Sequence, residues 1–391
     1  MDTTSAIAVM NQTDWQTVED WNFVEGAFLA VVTVVGIFVN LFIVAAILSS
    51  RRLRRRVNDV LCCHLALVGI IWCALLLPVN VITAFAGGWP LRPAGNDRGF
   101  CDVHGYAQAT LVHVMVWTIA ILGLNKYRTI IAPLQRVSTV NRQRMAAILL
   151  PTWAVGLTLA CIPLISGSGV GSYGYGYVIV ACVYEPSLTT DDNAPTVASI
   201  IYSVATTVIG FLLPVGVTVH SYIRIYNIAR WHRKRIAVMS AVVQVITLSV
   251  GVPMAGQALP EMSRQAGNKT LSVEDQTPDP AEVQRRERRT SRNVLAFVVA
   301  LVLCYAPHYT LVAIAPVVRR SSYQTYSSSS LSLQIPVPVE VLSGIVVLAS
   351  PAINGFVYGV RNRAIIRSFR SFIRPPSHTD RHLRHLMSTN I

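Results

Sequence analysis

Seven long apolar stretches run through this chain, and no other feature limits its fold so strongly. Each has about the 20 residues that an α-helix needs to cross the hydrocarbon core of a bilayer. They cover residues 24–48, 57–84, 101–124, 145–165, 197–222, 293–317 and 337–360. An eighth, weaker stretch covers 236–256. Seven crossings place the two ends of a chain on opposite sides of a membrane and eight place them on the same side, so this stretch has to be assigned first.

The composition is that of a membrane protein. Charged residues make up 13% and hydrophobic residues 52% of the chain, whereas a soluble domain carries roughly 25% charged residues. The net charge of +14 raises the alternative of a nucleic-acid partner. However, the basic residues lie in short clusters at the ends of the apolar stretches. We therefore expect them to face anionic membrane lipid on the cytoplasmic side, and we expect no nucleic-acid partner.

The positions of Lys and Arg set the orientation, because cytoplasmic loops carry an excess of both. The segment before the first stretch is acidic and has no basic residue, whereas the first, third and fifth connections and the tail are basic. Residues 1–23 are therefore predicted to be extracellular. Residues 24–360 are predicted to form an all-α membrane domain, a seven-transmembrane helix bundle with a long cytoplasmic loop at 229–292. Residues 361–391 are predicted to lie in the cytoplasm.

The eighth stretch fits this orientation only if it does not cross. A crossing at 236–256 would place the arginine cluster at 285–292 and the basic tail outside the cell. Pro253, Gly251 and Gly256 also weaken it as a helix. Two interpretations stay open, a helical continuation of the preceding span and a segment on the membrane surface.

Topology also sorts the cysteines. Cys62, Cys63, Cys73, Cys161 and Cys304 fall within spans, where we expect them to pack as small apolar side chains. Cys101 and Cys182 face the oxidising exterior, and a disulfide between them is predicted. His104 is the only nearby partner for a metal at Cys101, and two ligands do not make a site, so no metal and no other cofactor are predicted. Asn11 begins an Asn-Gln-Thr glycosylation sequon on the outer side.

Each of the seven stretches carries at least one distinctive motif. In chain order these are Gly36 and Asn40, His64-Leu65-Ala66, Asn125-Lys126-Tyr127, Trp153 and Pro163, Pro214 and Tyr222, Cys304-Tyr305-Ala306-Pro307, and Asn354 and Tyr358. Over residues 36–372, this ordered set resembles the motifs of the rhodopsin-like (class A) G-protein-coupled receptors. The resemblance implies a multi-pass plasma-membrane receptor and not an enzyme. It also implies an extracellular ligand, a heterotrimeric G protein as partner, and outward movement of helix six.

The same resemblance assigns roles to single residues. Lys126, Tyr222 and Tyr358 are expected to form the inner switch, together with Asn40, Asn125, Tyr127, Pro307 and Asn354. Pro307 is expected to act as a hinge, because proline removes a backbone donor within a helix. Asn40 and Asn354 are expected to face the bundle interior and to form hydrogen bonds between helices. Trp153 is expected to be a plain packing residue.

Four departures from the family pattern are informative. Gly69 stands where the family has an intramembrane aspartate, so the family's sodium site is expected to be absent. Lys126 replaces the helix-three arginine, and Glu287 near the inner end of helix six is a candidate ion-pair partner for it. Tyr305 replaces a tryptophan and brings a hydroxyl that needs a partner. Gly355 replaces a proline and is expected to loosen the kink in helix seven. A small residue there and Asn125 are shared with melatonin receptors.

The ligand class is constrained mainly by exclusion. Gln108 stands where amine receptors carry an aspartate, and helix seven has no lysine for a retinal Schiff base. Aminergic and retinal ligands are therefore not expected. Gln108, His113, Tyr305 and His308 are predicted to line an uncharged or weakly polar cavity. The Gly- and Tyr-rich loop at 167–177 is either a lid over that cavity or a flexible segment.

Two features of the tail and two alternative functions complete the expectations. Residues 361–373 are predicted to form a short amphipathic helix, the eighth, on the inner membrane surface. The last residue, Ile391, ends a sequence that fits a ligand of PDZ domains. A seven-helix receptor that is constitutively active or does not signal is the main alternative. A transporter is less favoured, because the chain shows no related halves.

Overall fold

The computed structural model describes residues 12–86, 98–131, 142–165, 167–176, 179–189, 195–249, 280–314, 316 and 336–373. Within these ranges, seven helices are long and apolar enough to cross a membrane, as predicted. The first four are α1 (Gln12–Ser49), α2 (Val57–Phe85), α3 (Arg98–Ile131) and α4 (Arg142–Cys161). The others are α5 (residues 197–249), α6 (Pro280–Ile314) and α7 (residues 337–360), and a short helix α8 (Arg363–Ile373) follows them. The predicted sites at Asn11 and Ile391 lie outside the described residues.

Hydroxyl side chains stay within the apolar helices by bonding to their own backbone. Thr33, Thr118, Thr207, Thr218 and Ser221 each donate to the carbonyl four residues earlier, at 2.6–2.8 Å. A hydroxyl exposed to hydrocarbon without a partner would cost free energy, so this local bond lets the sequence carry Ser and Thr at membrane depth.

Wide π-helical turns precede two prolines that lack a backbone hydrogen-bond donor. One covers Trp72–Leu76 and another Val208–Leu212, each two residues before a proline, Pro78 and Pro214. A π-turn re-forms the hydrogen-bond ladder around the missing donor. A third π-turn, Gly355–Val360, begins at the glycine that replaces the family's proline. The expected loosened kink of helix seven is thus a widened turn.

An antiparallel hairpin covers the outer end of α3, and the sequence did not predict it as a sheet. Strands β1 (Gly171–Gly176) and β2 (Ala181–Pro186) pair with Tyr175 opposite Cys182. The described part of the loop at 167–177 is therefore ordered, as the lid interpretation requires. The all-α description has to be amended by these two strands.

Buried tyrosines and a disulfide hold the hairpin in place. Cys182 forms the predicted bond with Cys101 of α3. Tyr173 donates to the Ala160 carbonyl at 2.8 Å, and Tyr184 donates to the Val170 carbonyl at 2.8 Å. Burial raises the pKa of Tyr184 to about 12 and raises the pKa of Tyr173 well above its usual value. Both hydroxyls therefore remain protonated donors at physiological pH.

The described part of the weak eighth stretch, residues 236–249, is a helical continuation of the preceding span. Helix α5 extends without a break from its span to Ser249, and α6 begins at Pro280. Both ends of the predicted loop 229–292 are therefore helical. The segment Tyr222–Ala296 forms a compact unit of its own. Within it, the Arg235 guanidinium lies 4.4 Å from the centre of the Trp231 ring system.

Helix α8 has the predicted amphipathic character. Ile365 is fully buried, and the Phe369 ring packs edge-on against Phe42 of α1 with 4.2 Å between ring centroids. Ser368 donates to the Ala46 carbonyl of α1 at 2.8 Å. Arg363, Arg367 and Arg370 are exposed on the other face. The helix is therefore fixed to the bundle by its apolar side.

Removing the disulfide should destabilise the protein. Replacing Cys182 with Ser frees β2 from α3, and we expect a loss of about 2–5 kcal/mol of stability. The measurement is the thermal unfolding midpoint of the purified full chain in detergent. Cys161→Ser is the matched control, because Cys161 is an exposed free cysteine. An equal effect of the two substitutions would contradict the structural role of the bond.

Candidate functional site

A cavity lies directly beneath the hairpin. It encloses about 570 Å³, including the part open to solvent, and residues of α3, α5, α6 and both strands line it. Gln108, His113 and His308 are among the lining residues, as predicted. Tyr173 and Tyr184 of the hairpin face it from above. The hairpin therefore forms part of the cavity wall, and the lid interpretation of the loop at 167–177 stays a prediction that this position favours.

The prediction that Tyr305 lines this cavity was wrong. Tyr305 is fully buried and is not among the lining residues. Its hydroxyl accepts a 2.8 Å hydrogen bond from the Asn354 amide of α7 and lies 3.9 Å from the Met115 sulfur of α3. Tyr305 thus connects three helices below the cavity. The expectation that its hydroxyl needs a partner is confirmed, and so is the interhelical bond expected of Asn354.

Tyr309 takes the place in the cavity that was assigned to Tyr305. It lies one helical turn further along α6, on the same face. Its ring stacks on Phe211 at 5.0 Å and meets His113 edge-on at 5.8 Å, both measured between ring centroids. The sequence could have indicated Tyr309, because it lies at i+4 from Tyr305. It could not have indicated that Tyr202 and Thr206 of α5 line the cavity, because this depends on how α5 packs against α3.

The hydrogen bond of His113 fixes which of its ring nitrogens can accept. Its Nδ1 lies 2.6 Å from the Ala109 carbonyl oxygen, which can only accept, so Nδ1 carries the proton. In the neutral ring, Nε2 is therefore an acceptor, and it is buried without a partner among the described residues. Gly210 permits this arrangement, since a Cβ at that position would lie 2.6 Å from Nε2. The Gln108 side-chain oxygen is likewise buried and unpaired in the described part of the chain.

The electrostatic character of the cavity is neutral. Its lining consists of aromatic, aliphatic, amide, hydroxyl and imidazole groups, and none of the described lining residues is Asp or Glu. A protonated amine would enter without a counter-ion, and desolvating an unpaired charge is costly. The arrangement is suited to an uncharged ligand that donates hydrogen bonds.

Asn40 occupies the region where the family's intramembrane aspartate would lie. Its amide donates to the Gly36 carbonyl at 2.8 Å and to the Pro351 carbonyl of α7 at 3.4 Å, as expected of an interhelical bond. A Cβ at Gly69 would lie only 2.8 Å from the Asn40 amide nitrogen. The glycine therefore allows α1 and α2 to approach closely, and the Asn40 side chain covers it. The absence of a sodium site stays a prediction that this packing favours.

The expectation that Trp153 is a plain packing residue was wrong. Its indole N–H donates to His64 Nε2 at 3.0 Å, and Thr118 of α3 lies 3.3 Å from His64 Nδ1. His64 thus joins α4 to α3 through α2. Sequence reasoning missed this because Trp153 and His64 are far apart along the chain.

At the inner end, Lys126 meets aromatic rings. Its ammonium lies 4.0 Å from the centroid of Phe297 and 5.9 Å from that of Tyr358. Beside it, Asn125 donates to the Asn58 side chain of α2 at 2.8 Å. Sequence reasoning overlooked Phe297, because its position ten residues before Pro307 in a helix does not show which neighbours its ring contacts.

The predicted switch also includes Tyr127, Tyr222, Pro307 and Glu287. Tyr127 packs edge-on against His220 of α5, with 6.4 Å between ring centroids. Tyr222 begins the separate unit at 222–296, and Pro307 lies inside α6. The side chain of Glu287 lies outside the described residues, so its pairing with Lys126 stays a prediction.

Known receptors resemble this chain over most of its length. Residues 39–358 match the model of a family described as 7 transmembrane receptor (rhodopsin family). The D(1) dopamine receptor of Carassius auratus is 20% identical over 297 residues, 76% of this chain and 75% of that receptor. The 5-hydroxytryptamine receptor 5B of Mus musculus is 24% identical over 282 residues, 71% of this chain and 68% of that receptor.

A further relative and a solved structure extend these matches. The D(1B) dopamine receptor of Xenopus laevis is 24% identical over 225 residues, which cover 55% of this chain and 44% of that receptor. The crystal structure of squid rhodopsin aligns with a TM-score of 0.61 at 15% identity, covering 90% of this chain and 84% of that one. At this level of identity, the structural likeness concerns the fold alone.

The close approach at Gly69 can be tested directly. Gly69→Ala places a methyl group against the Asn40 amide, which is held by its two hydrogen bonds, so we expect a loss of about 1–3 kcal/mol. The unfolding midpoint in detergent measures the loss. Gly216→Ala is the control, because a Cβ there meets nothing within 4 Å. It should be neutral or stabilising by up to about 1 kcal/mol through helix propensity. If both variants behave alike, the packing argument fails.

Proposed function

Because this chain belongs to the rhodopsin family of seven-transmembrane receptors, we propose that it binds an uncharged extracellular ligand beneath the hairpin and transmits this event to a heterotrimeric G protein through outward movement of α6. Family membership establishes a multi-pass plasma-membrane receptor that is not an enzyme. Coupling of this chain to a G protein, the ligand class and the movement of α6 are the proposal, and the family supports the first of them.

The observation that carries the ligand class is the pair of buried acceptors in a cavity lined without carboxylates. His113 Nε2 and the Gln108 oxygen have no partner among the described residues, and both residues line the cavity. A buried polar group without a partner costs free energy, which a ligand with N–H or O–H donors would recover. The tyrosine and histidine rings that line the cavity favour a ligand that is flat and largely apolar.

This ligand class differs from what the names of the relatives suggest. The curated relatives are named for dopamine and 5-hydroxytryptamine, both of which carry an amine. The side chain of Gln108 is a neutral amide, and it cannot neutralise an ammonium group. We therefore propose that the shared fold serves a different ligand chemistry here.

The proposed movement has a physical basis in α6. Pro307 lies between the cavity residue Tyr309 and the deeper residue Tyr305, and it has no N–H to donate to the carbonyl of Leu303, so the helical ladder of α6 lacks one bond there. A ligand that contacts Tyr309 and His308 can therefore bias the inner half of α6. It shifts this equilibrium only by its difference in affinity for the two arrangements.

A receptor with altered or constitutive coupling is the second candidate, and Lys126 is the observation that favours it. Lys lacks the planar five-donor geometry of the family's arginine. A ligand-free activation assay across G-protein types, comparing the native chain with Lys126→Arg, separates the two candidates. A high native basal signal that Lys126→Arg lowers would favour the constitutive receptor.

Three peripheral partners or modifications remain proposals. The exposed arginines of α8 would contact anionic lipid. A PDZ-domain protein would bind at Ile391, and a glycan would be attached at Asn11. Pull-down with and without the last three residues, and glycosidase treatment of native and Asn11→Gln chains, test the latter two.

The exclusion of amines yields a gain-of-function prediction. Gln108→Asp introduces the missing counter-ion, so dopamine should bind at least about tenfold more tightly to this variant than to the native chain. Competition binding or the ligand-induced thermal shift measures the difference. Gln108→Asn is the matched control, since Asn and Asp share a shape and differ in charge. Micromolar binding of dopamine to the native chain would contradict the proposed ligand class.

A further inference from the structure

We infer that Lys126 and an aromatic pair, Phe297 and Tyr358, form the contact that keeps the inner half of α6 against α3 and α7 in the resting receptor. This inference rests on the proposed function, because it assigns the residues that oppose the movement of α6. It gives Phe297 a positioning role. The restraint on α6 in the resting receptor is then a cation–π contact of Lys126, whereas the sequence suggested an ion pair of Lys126 with Glu287.

The two rings present a shared surface to the cation. Phe297 of α6 and Tyr358 of α7 are stacked, with 4.7 Å between centroids and 13° between ring planes. The Tyr358 hydroxyl donates to the Phe297 backbone carbonyl at 3.4 Å, which ties α7 to α6 at the same level. The Lys126 ammonium of α3 lies 4.0 Å from the nearer ring centroid. Three helices therefore meet through one cation and two rings.

The charge environment explains why a cation is retained in this half-buried place. Asp59 of α2 is 4% exposed and lies within electrostatic reach of Lys126. One Asp59 oxygen accepts a 3.3 Å hydrogen bond from the Asn362 amide, at the junction of α7 and α8. Asp59 thus interacts more strongly with Arg56 than with Lys126, and the rings supply the near contact of the ammonium. A cation over a ring is stabilised most when water is excluded.

Lys126 presents a different charge to the rings from the family's arginine. Its ammonium is a compact charge that lies above one ring, whereas a guanidinium is planar and both stacks on ring faces and forms a fork of hydrogen bonds. The stacked pair Phe297 and Tyr358 supplies the near contact of this compact charge.

Outward movement of α6 would break this arrangement. It would draw Phe297 away from both Lys126 and Tyr358, and the ammonium would lose its near contact. Weakening the aromatic contact should consequently raise signalling in the absence of ligand. If Glu287 were the main restraint, its removal would have this effect and removal of the Phe297 ring would not.

The experiment uses the full chain in two measurements, ligand-free G-protein activation in cells and thermal unfolding in detergent. The variants are Lys126→Met, Phe297→Leu, their combination, Phe297→Tyr and Glu287→Gln. Lys234→Met is the control for removing a lysine, since Lys234 is exposed on the cytoplasmic extension of α5. Phe297→Leu keeps an apolar side chain and removes the ring, whereas Phe297→Tyr keeps the ring.

The expected signalling result is a rise in basal activation of at least about threefold for Phe297→Leu, a smaller rise for Phe297→Tyr, and no change for Lys234→Met. In unfolding, Lys126→Met and Phe297→Leu should each lower the midpoint, and the double variant should fall short of the summed shifts, because the two residues share one contact.

The other outcomes contradict either the contact, its resting role or the proposed function. Additive shifts of the unfolding midpoint would show that Lys126 and Phe297 do not share an energetic contact. A native chain that activates a G protein with the same basal signal as Phe297→Leu would overturn its resting role, as would a rise seen only with Glu287→Gln. If every chain, the native one included, is silent with all G proteins, the proposed function fails. The non-additive unfolding then still supports the contact itself.

Discussion

Every polar group inside a membrane helix has to find its hydrogen-bond partner within the protein, and most of the features of this bundle follow from that constraint. Threonines and serines bond back to their own helices. Asn40, His64 and Tyr305 bond to neighbouring helices instead, and these bonds fix which faces of α1, α2, α4, α6 and α7 meet. Two of the buried side-chain atoms without a partner in the described part of the chain, the Gln108 oxygen and His113 Nε2, belong to residues that line the cavity.

The residues that depart from the family pattern are accompanied by local rearrangements. Gly69 is covered by the Asn40 amide, which bonds to α7. Tyr305 bonds to Asn354 of α7, and Lys126 lies over the stacked rings of α6 and α7. In each case the new residue contacts, directly or through its neighbour, helix α7. The divergent motifs therefore share helix α7 as their common neighbour.

The sequence predicted the parts of the fold that local patterns control. Apolar length predicted the seven spans, the outward-facing pair Cys101 and Cys182 predicted the disulfide, and the apolar face of α8 predicted its packing. The hairpin was missed because glycines at alternate positions hide the two-residue period of a strand. Trp153, Tyr305 and Phe297 were assigned wrongly or overlooked, since the direction of a side chain within a bundle depends on helix rotation, which helix length and composition leave undefined.

Helix α6 is where these contacts combine. Tyr309 and His308 face the cavity, Tyr305 bonds to α7 below them, and Phe297 meets Lys126 and Tyr358 near the cytoplasmic end. Pro307 separates the cavity residues from the two lower contacts. In the proposed mechanism, a ligand need not reach the inner end of α6 to affect it. It has only to favour a rotation of the outer segment that weakens the hydrogen bond between Asn354 and Tyr305, because Tyr305 lies on the same helix as Phe297. The coupling free energy between the two ends is then limited by the strength of that hydrogen bond and of the contact between Lys126 and its rings.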